Sequence, residues 1–160
     1  MASKRYDVDE NEEIARILFE PSMIEDDDRI SRNAFFLERL PSGKWEKYLS
    51  VWRTRYKVPT RENAKDIKPR KPLDKLFGYG TLNVGFVHFA CIDLSVTAKV
   101  WRTKPNEEEH HVGIFYTLKE EPIIGESDNP DFIELTMILA DEAVLFKFPP
   151  ADTNVIKDII

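Results

Sequence analysis

The chain of 160 residues contains one cysteine, three histidines and six glycines, and these scarcities exclude several classes of protein. The lone Cys91 cannot form an internal disulfide, which favours a reducing compartment and a buried structural thiol. No segment approaches the roughly 18 consecutive apolar residues that span a bilayer, and the N-terminal residues lack the apolar stretch of a signal peptide. The sequence therefore predicts a cytoplasmic protein without a membrane partner.

The motifs of common cofactor and metal chemistry are also missing. Gly78 and Gly80 are followed by neither the Lys-Ser/Thr pair of a phosphate-binding loop nor a predicted helix start. The acidic run 25–28 lacks the spaced oxygen ligands and the glycine of a calcium loop. No serine-nucleophile motif is present. We therefore predict neither a cofactor nor a bound metal ion.

Charge is distributed along the chain in three blocks. Residues 1–28, 29–75 and 76–160 carry net charges of −7, +9 and −8. Opposed charge blocks favour fast and specific association with a partner and require no catalytic groups. A protein partner is therefore the favoured expectation, with the oligomeric state left open. The candidate binding residues of the basic block are Arg29, Arg32, Trp52, Arg53, Arg55, Lys57, Arg61, Lys68, Arg70 and Lys71.

Two features of the basic block allow other interpretations. Arg29 and Arg32 are three residues apart, a spacing that places two guanidiniums on one side of a helical turn. They could recognise phosphate or neutralise the acids that precede them. The stretch 53–75 also combines cations with the rings of Trp52 and Tyr56, as nucleic-acid binding requires. Because the pI is near 5.2, a nucleic-acid-binding protein remains the second alternative.

Hydrophobic periodicity predicts one α+β domain with an antiparallel sheet of about five or six strands. Alternation predicts strands within 34–39, 46–53, 81–92, 94–101, 111–118 and 144–148. It places Leu49 and Val51 toward the core. In the two later strands it places on one face Leu94, Val96, Ala98 and Val100, and Val112, Ile114 and Tyr116. A turn with Pro41 and Gly43 joins the first two as a hairpin. Asn129 and Pro130 predict the start of a main helix that ends near Ala143 and packs across the sheet. The pattern over 9–19 predicts a short acidic helix at one edge.

The predicted domain spans residues 1–160. Residues 1–7 and 151–160 are expected to be frayed, and 57–75 is expected to form a long basic loop that could hold one helical turn at 61–66. Loops of this length inside compact domains tend to be functional or disordered, which makes this segment the first place to look for binding.

The three histidines are the candidates for catalysis. His110 and His111 are neighbours at the start of a predicted strand, so their side chains should point to opposite faces. The simpler interpretation is structural, with one histidine bonded to backbone and one solvated. His88 is predicted on a strand, where a core role is favoured. If His88 met His111 across the sheet beside an arginine, the pair could act on a phosphorylated or nucleotide substrate, which is the enzyme alternative.

Three patches of the chain resemble a pattern in small uncharacterised bacterial proteins. They are Asp28-Arg29-Ile30-Ser31-Arg32-Asn33-Ala34-Phe35, Leu49-Ser50-Val51-Trp52-Arg53 and His110-His111-Val112-Gly113-Ile114. Those proteins look like members of defence or toxin–antitoxin loci. The resemblance implies a bacterial accessory protein and assigns no activity, ligand or functional residue.

Overall fold

The computed structural model describes residues 8–39, 42–103, 109–119, 121–123 and 128–150. Its strands are β1 (Glu13–Glu20), β2 (Leu49–Arg53), β3 (Lys75–Asn83), β4 (Val96–Arg102), β5 (His111–Leu118), β6 (Glu121–Pro122) and β7 (Val144–Lys147). Its helices are α1 (Arg61–Ala64), α2 (Val84–Ala90), α3 (Pro130–Glu142) and a 3₁₀-helix (Arg32–Phe35).

The strands form one antiparallel sheet. Its order is β4-β5-β2-β1-β3-β7, and the short β6 pairs with β5. The predicted α+β class and antiparallel sheet are therefore confirmed. Within the described ranges the sheet has seven strands rather than five or six.

The prediction of an acidic helix over 9–19 is wrong, because this segment forms the central strand β1. Six consecutive residues, 14–19, are buried, since neighbouring strands flank β1 and both of its faces are covered. A strand that is buried on both faces lacks the alternation of a half-exposed strand, and between Glu13 and Glu20 β1 is an apolar run except for Arg16. Such a run also matches a helical pattern, so periodicity alone could not distinguish the two structures.

The prediction of a strand through 84–92 is also wrong. β3 ends at Asn83, whose side chain accepts a hydrogen bond from the backbone N–H of Phe86 at 3.2 Å and so begins α2. An asparagine at this position satisfies an amide that the first helical turn leaves without a partner. As a consequence, His88 lies on a helix and not on a strand of the sheet.

The predicted hairpin is only partly present. Ala34 and Phe35 lie in the 3₁₀-helix, and the chain then reverses through an isolated bridge between Arg39 and Trp45. Gly43 has φ +89°, a left-handed conformation that favours glycine in this turn. The second arm is confirmed as β2, where the predicted core residues Leu49 and Val51 are buried.

The predicted strands within 94–101, 111–118 and 144–148 and the main helix are confirmed, whereas the predicted frayed ends lie outside the described residues. In β4 and β5 the expected inward-facing residues Val96, Ala98, Val100, Val112, Ile114 and Tyr116 are buried. Asn129 caps α3 by accepting hydrogen bonds from Asp131 N–H and Phe132 N–H, and β7 follows α3 directly. Phe132, Leu135 and Leu139 are the fully buried contacts of α3 with the sheet.

The strand registers define two faces of the sheet. One face carries Tyr116, which packs against Phe132 of α3 with ring centroids 4.9 Å apart. On the opposite face, the segment around α1 reaches the β3–β7 end, where Thr60 and Arg61 lie in one groove with Tyr79 and Phe146. The β4–β5–β2 end of that opposite face carries aromatic side chains instead.

Candidate functional site

The structure does not bring His88 and His111 together. His88 Nε2 accepts a hydrogen bond from Val100 N–H at 3.1 Å, and Cys91 Sγ accepts one from Ala98 N–H at 3.4 Å. Both side chains therefore cover the outer edge of β4, and Cys91 is buried, as predicted for a structural thiol. The other edge of β4 pairs with β5, which begins at His111, so β4 separates the two histidines.

The neighbours of the other two histidines are mainly aromatic. The ring of His110 meets the ring of Trp52 edge-on with centroids 5.0 Å apart. His111 Nδ1 lies 3.2 Å from Thr103 Oγ1, and its ring centroid lies 6.3 Å from that of Tyr48. In the described part of the chain, no group of three or more His, Cys, Asp or Glu side chains could hold a metal ion.

Arg53 is neutralised by the acidic N-terminal block. Its Nε and Nη2 donate to the two carboxylate oxygens of Glu12 at 2.8 and 2.6 Å. The exposed fractions of the two side chains are only 10% and 6%. The hydrogen bond with Glu12 raises the pKa of Arg53. Arg53 therefore fastens β2 to the residue before β1 and is not available to a partner.

Arg70 is also occupied inside the protein. Its guanidinium donates to the carbonyl oxygens of Asn33 and Phe36 at 2.9 and 2.6 Å, and to Glu46 Oε1 at 2.8 Å. The side chains of Arg70 and Glu46 are almost fully buried. Glu46 also accepts from Glu38 N–H at 2.9 Å. Arg70 thus holds the two arms of the 33–46 segment together.

A second buried arginine lies beneath this segment. Arg16 of β1 donates to the carbonyl oxygens of Ala34 and Ser50 at 2.7 and 3.1 Å. Burial, and then the charge of Arg70, lower the pKa of Arg16. Nearby, the hydroxyl of Tyr116 donates to Phe35 O at 2.8 Å, and burial raises the pKa of this phenol well above its usual value.

Tyr116→Phe is expected to reveal this buried phenol through the pH dependence of stability. Near neutral pH the free energy of unfolding of the variant should be about 1–3 kcal/mol lower than that of the wild type, because Phe35 O loses its buried hydrogen-bond donor. As the pH rises above 10, tyrosine ionises in the unfolded chain but stays neutral in the folded protein, so only the wild type is destabilised. The difference in the free energy of unfolding between the wild type and Tyr116→Phe should therefore narrow by about 1.4 kcal/mol by about pH 11. Urea unfolding of both proteins between neutral pH and pH 11 measures it, and a constant gap would contradict the expectation.

The remaining predicted binding residues are distributed over several surfaces. Arg29 pairs with Asp27 at 2.7 Å in an exposed turn. The Arg55 guanidinium lies 5.1 Å from the Tyr56 ring, and Lys57 Nζ lies 5.5 Å from the ring of the buried Trp52. Arg61 donates to Pro149 O at 3.0 Å. Lys68 is exposed.

Arg32 and Lys71 line a common cleft of about 300 Å³, which we call the basic cleft. Its lining residues are Arg32, Asn33, Phe36, Leu37, Glu38, Arg39, Trp45 and Lys71. Three cations thus face one carboxylate, Glu38, whose Oε2 is 3.6 Å from Lys71 Nζ. The basic cleft therefore has an excess of positive charge. Arg70 holds two of its lining residues in place through its hydrogen bonds to Asn33 O and Phe36 O.

Both arginines of the basic cleft are held on aromatic rings. The Arg32 guanidinium lies 4.6 Å from the centroid of Phe36, and Arg39 lies 5.0 Å from that of Trp45. Arg32 Nε donates to Thr136 Oγ1 of α3 at 3.0 Å, while its buried Nη2 has no hydrogen-bond partner in the described residues. Burial lowers the pKa of Arg32, as expected for a guanidinium that no carboxylate compensates.

Sequence reasoning missed Arg39, Trp45 and Phe36. Arg39 and Trp45 flank the predicted turn, so a cation and a ring at matching positions of its two arms were the available signal. Phe36 offered no such signal, because its contact with Arg32 depends on the 3₁₀-helix between them. The buried partners Glu12 and Glu46 come from distant parts of the chain.

The chain matches no protein-family model, no curated protein and no solved structure. Among the helices that the structure describes, none has the length and apolar character needed to cross a membrane. A functional assignment therefore depends on the chemistry of the described side chains, and the basic cleft is the strongest candidate site.

Proposed function

We propose that the protein is a small cytoplasmic accessory protein that binds an acidic segment of another protein in the basic cleft. One observation carries the proposal: Arg32 and Arg39 have no carboxylate partner within the described ranges, and they share a cleft with Lys71. By contrast, Arg53 and Arg70 are paired with buried glutamates. The basic cleft thus brings two guanidiniums without a described carboxylate partner together with a third cation.

The way in which these arginines are held favours binding. A guanidinium stacked on a ring keeps its donors in a fixed orientation, so less side-chain entropy is lost when an anion binds. A volume of about 300 Å³ suits a few side chains of an inserted segment. Carboxylates are the groups that arginine forks recognise with two hydrogen bonds.

An immunity or antitoxin-type component of a bacterial defence locus is one concrete form of this proposal. It is supported by the resemblance of the patches 28–35, 49–53 and 110–114 to proteins of such loci. The enzyme alternative is less well supported, because His88 serves as an acceptor at the edge of β4 and lies apart from His111. The nucleic-acid alternative for the basic loop is less well supported, because Arg53, Lys65, Arg70 and Lys71 each have an acidic partner and the other cations of the loop lie on several surfaces.

An oligo-glutamate peptide with a fluorescent label is a suitable probe. The double variant Arg32→Gln/Arg39→Gln is expected to bind it about tenfold more weakly than the wild type, because two charge-assisted contacts are lost. Fluorescence anisotropy at low salt measures the affinity. The wild-type affinity should also fall as salt rises, since the contacts are electrostatic.

The matched control is Lys65→Gln/Lys68→Gln, which removes the same charge from exposed positions outside the basic cleft. It should bind the peptide almost as well as the wild type. Equal weakening by both double variants would mean that the protein attracts the peptide only through its overall field, and the basic cleft would then not be the site.

A further inference from the structure

The open face of the β4–β5–β2 end of the sheet carries a cluster of rings, which we call the aromatic surface. It consists of the exposed or half-buried Tyr48, Trp101, His111 and Phe115, arranged around Gly113, with the buried Trp52 at its side. The register places Trp101 opposite Gly113, and Trp52 opposite His111. Trp101, the next-to-last residue of β4, is 37% exposed, and Phe115 beside it is half-buried.

The rings form a continuous row across the three strands. Centroids of Trp101 and Phe115 are 5.5 Å apart, and those of Phe115 and Tyr48 are 5.0 Å apart. Tyr48 lies directly on the backbone at Gly113, where an added Cβ would be 2.5 Å from Tyr48 Cδ2. The glycine is therefore required for the ring to lie across the sheet, and the row is held in a fixed position.

Two lysines next to the rings have no carboxylate partner among the described side chains. Lys99 is exposed and lies opposite Phe115 in the β4–β5 register. Lys57 Nζ is 5.5 Å from the centroid of Trp52. At the rim, Glu109 is 3.9 Å from Arg102 and thus has a cation of its own. The surface therefore combines stackable rings with positive charge that no described carboxylate compensates.

We infer that the aromatic surface binds single-stranded nucleic acid, with bases stacked on Trp101 and Phe115 and phosphates near Lys99. Rings on a sheet face stack with unpaired bases, and nearby cations follow the backbone. A duplex hides the faces of its bases, so rings would contribute little to binding it. A sugar-binding surface would need free carboxylate or amide groups that hydrogen-bond hydroxyls, whereas the described carboxylate at the rim, Glu109, faces Arg102. The site lies apart from the basic cleft and is independent of the proposed function.

Labelled oligouridylate tests the inference by fluorescence anisotropy with the whole chain. Trp101→Ala should weaken binding about fivefold to a hundredfold, the usual loss when one stacking ring is removed. Lys99→Gln should weaken binding less and make it less dependent on salt, because one phosphate contact is lost. Phe89→Ala, at an aromatic residue of α2 that is 64% exposed, is the matched control and should leave the affinity unchanged.

Three results would overturn the inference: no binding of oligouridylate at low salt, wild-type affinity in Trp101→Ala, or tighter binding of a duplex of the same length. Lys99→Gln is expected to keep the wild-type urea midpoint, and Trp101→Ala, which loses its contact with Phe115, should still unfold in one cooperative transition. The Arg32→Gln/Arg39→Gln protein should bind oligouridylate normally, and Trp101→Ala should bind oligo-glutamate normally. Failure at one site is thereby distinguished from failure at the other.

Discussion

Glu12→Ala is expected to lower the free energy of unfolding by about 3–5 kcal/mol, the usual cost of removing one partner from a buried ion pair. Arg53 would keep its charge in a site where only 10% of its side chain reaches solvent, and two donors at 2.8 and 2.6 Å would lose their acceptors. Water enters such a site only if the segment before β1 separates from β2. Urea unfolding with an unchanged slope would measure the loss.

Two further proteins make this prediction specific. Glu62→Ala removes the carboxylate of an exposed pair, Glu62–Lys65, and should leave stability almost unchanged. The double variant Glu12→Leu/Arg53→Met replaces both charges by apolar groups and should recover most of the loss. If Glu12→Ala and Glu62→Ala cost the same, the Glu12–Arg53 pair would not be energetically buried.

Arg70→Met should have an effect of similar size, about 3–5 kcal/mol, through a different part of the fold. The substitution keeps much of the apolar stem but removes every donor. Glu46 would then be a mostly buried carboxylate without its partner, and the carbonyl oxygens of Asn33 and Phe36 would lose a hydrogen bond each. The 33–46 segment is expected to loosen, and with it the basic cleft.

Binding separates a structural role of Arg70 from a role in recognition. Lys71→Gln, at the adjacent and mostly exposed position, should cost little stability but weaken oligo-glutamate binding directly. Arg70→Met should reduce the urea midpoint strongly, and added peptide should restore part of it if folding of the cleft is coupled to binding. An unchanged urea midpoint in Arg70→Met would contradict the structural role of the Arg70 hydrogen bonds.

Much of the fold was predictable because the relevant signals are local. The alternation in 96–100 and 112–116 placed two strands with the correct inward faces, and Asn129-Pro130 placed the start of α3. The errors occurred where tertiary context decides between two structures. The mostly apolar sequence of β1 is compatible with a helix, and only its position between two strands shows that it is a strand. The residues after Asn83 are compatible with a strand, but the Asn83 side chain caps them as the helix α2.

The candidate site was less predictable than the fold. The excess of positive charge in residues 29–75 located the region, and Arg32 and Lys71 were among the expected residues. Sequence alone could not show which cations are neutralised, because Glu12 is 41 positions from Arg53 and Glu46 is 24 positions from Arg70. Nor could it show that Arg39 returns to the cleft across a turn.

The contacts of α2 with β4 determine how copies of this protein could polymerise. Open-ended growth by strand addition needs two free edges on each molecule, one to accept a strand and one to be added. Here the amides of Ala98 and Val100 at one edge are capped by Cys91 and His88. Because β6 has only two residues, β7 is then the unpaired edge strand of the described sheet that is long enough to add another strand. Edge-to-edge association would therefore end at a pair of molecules and could not extend into a fibre.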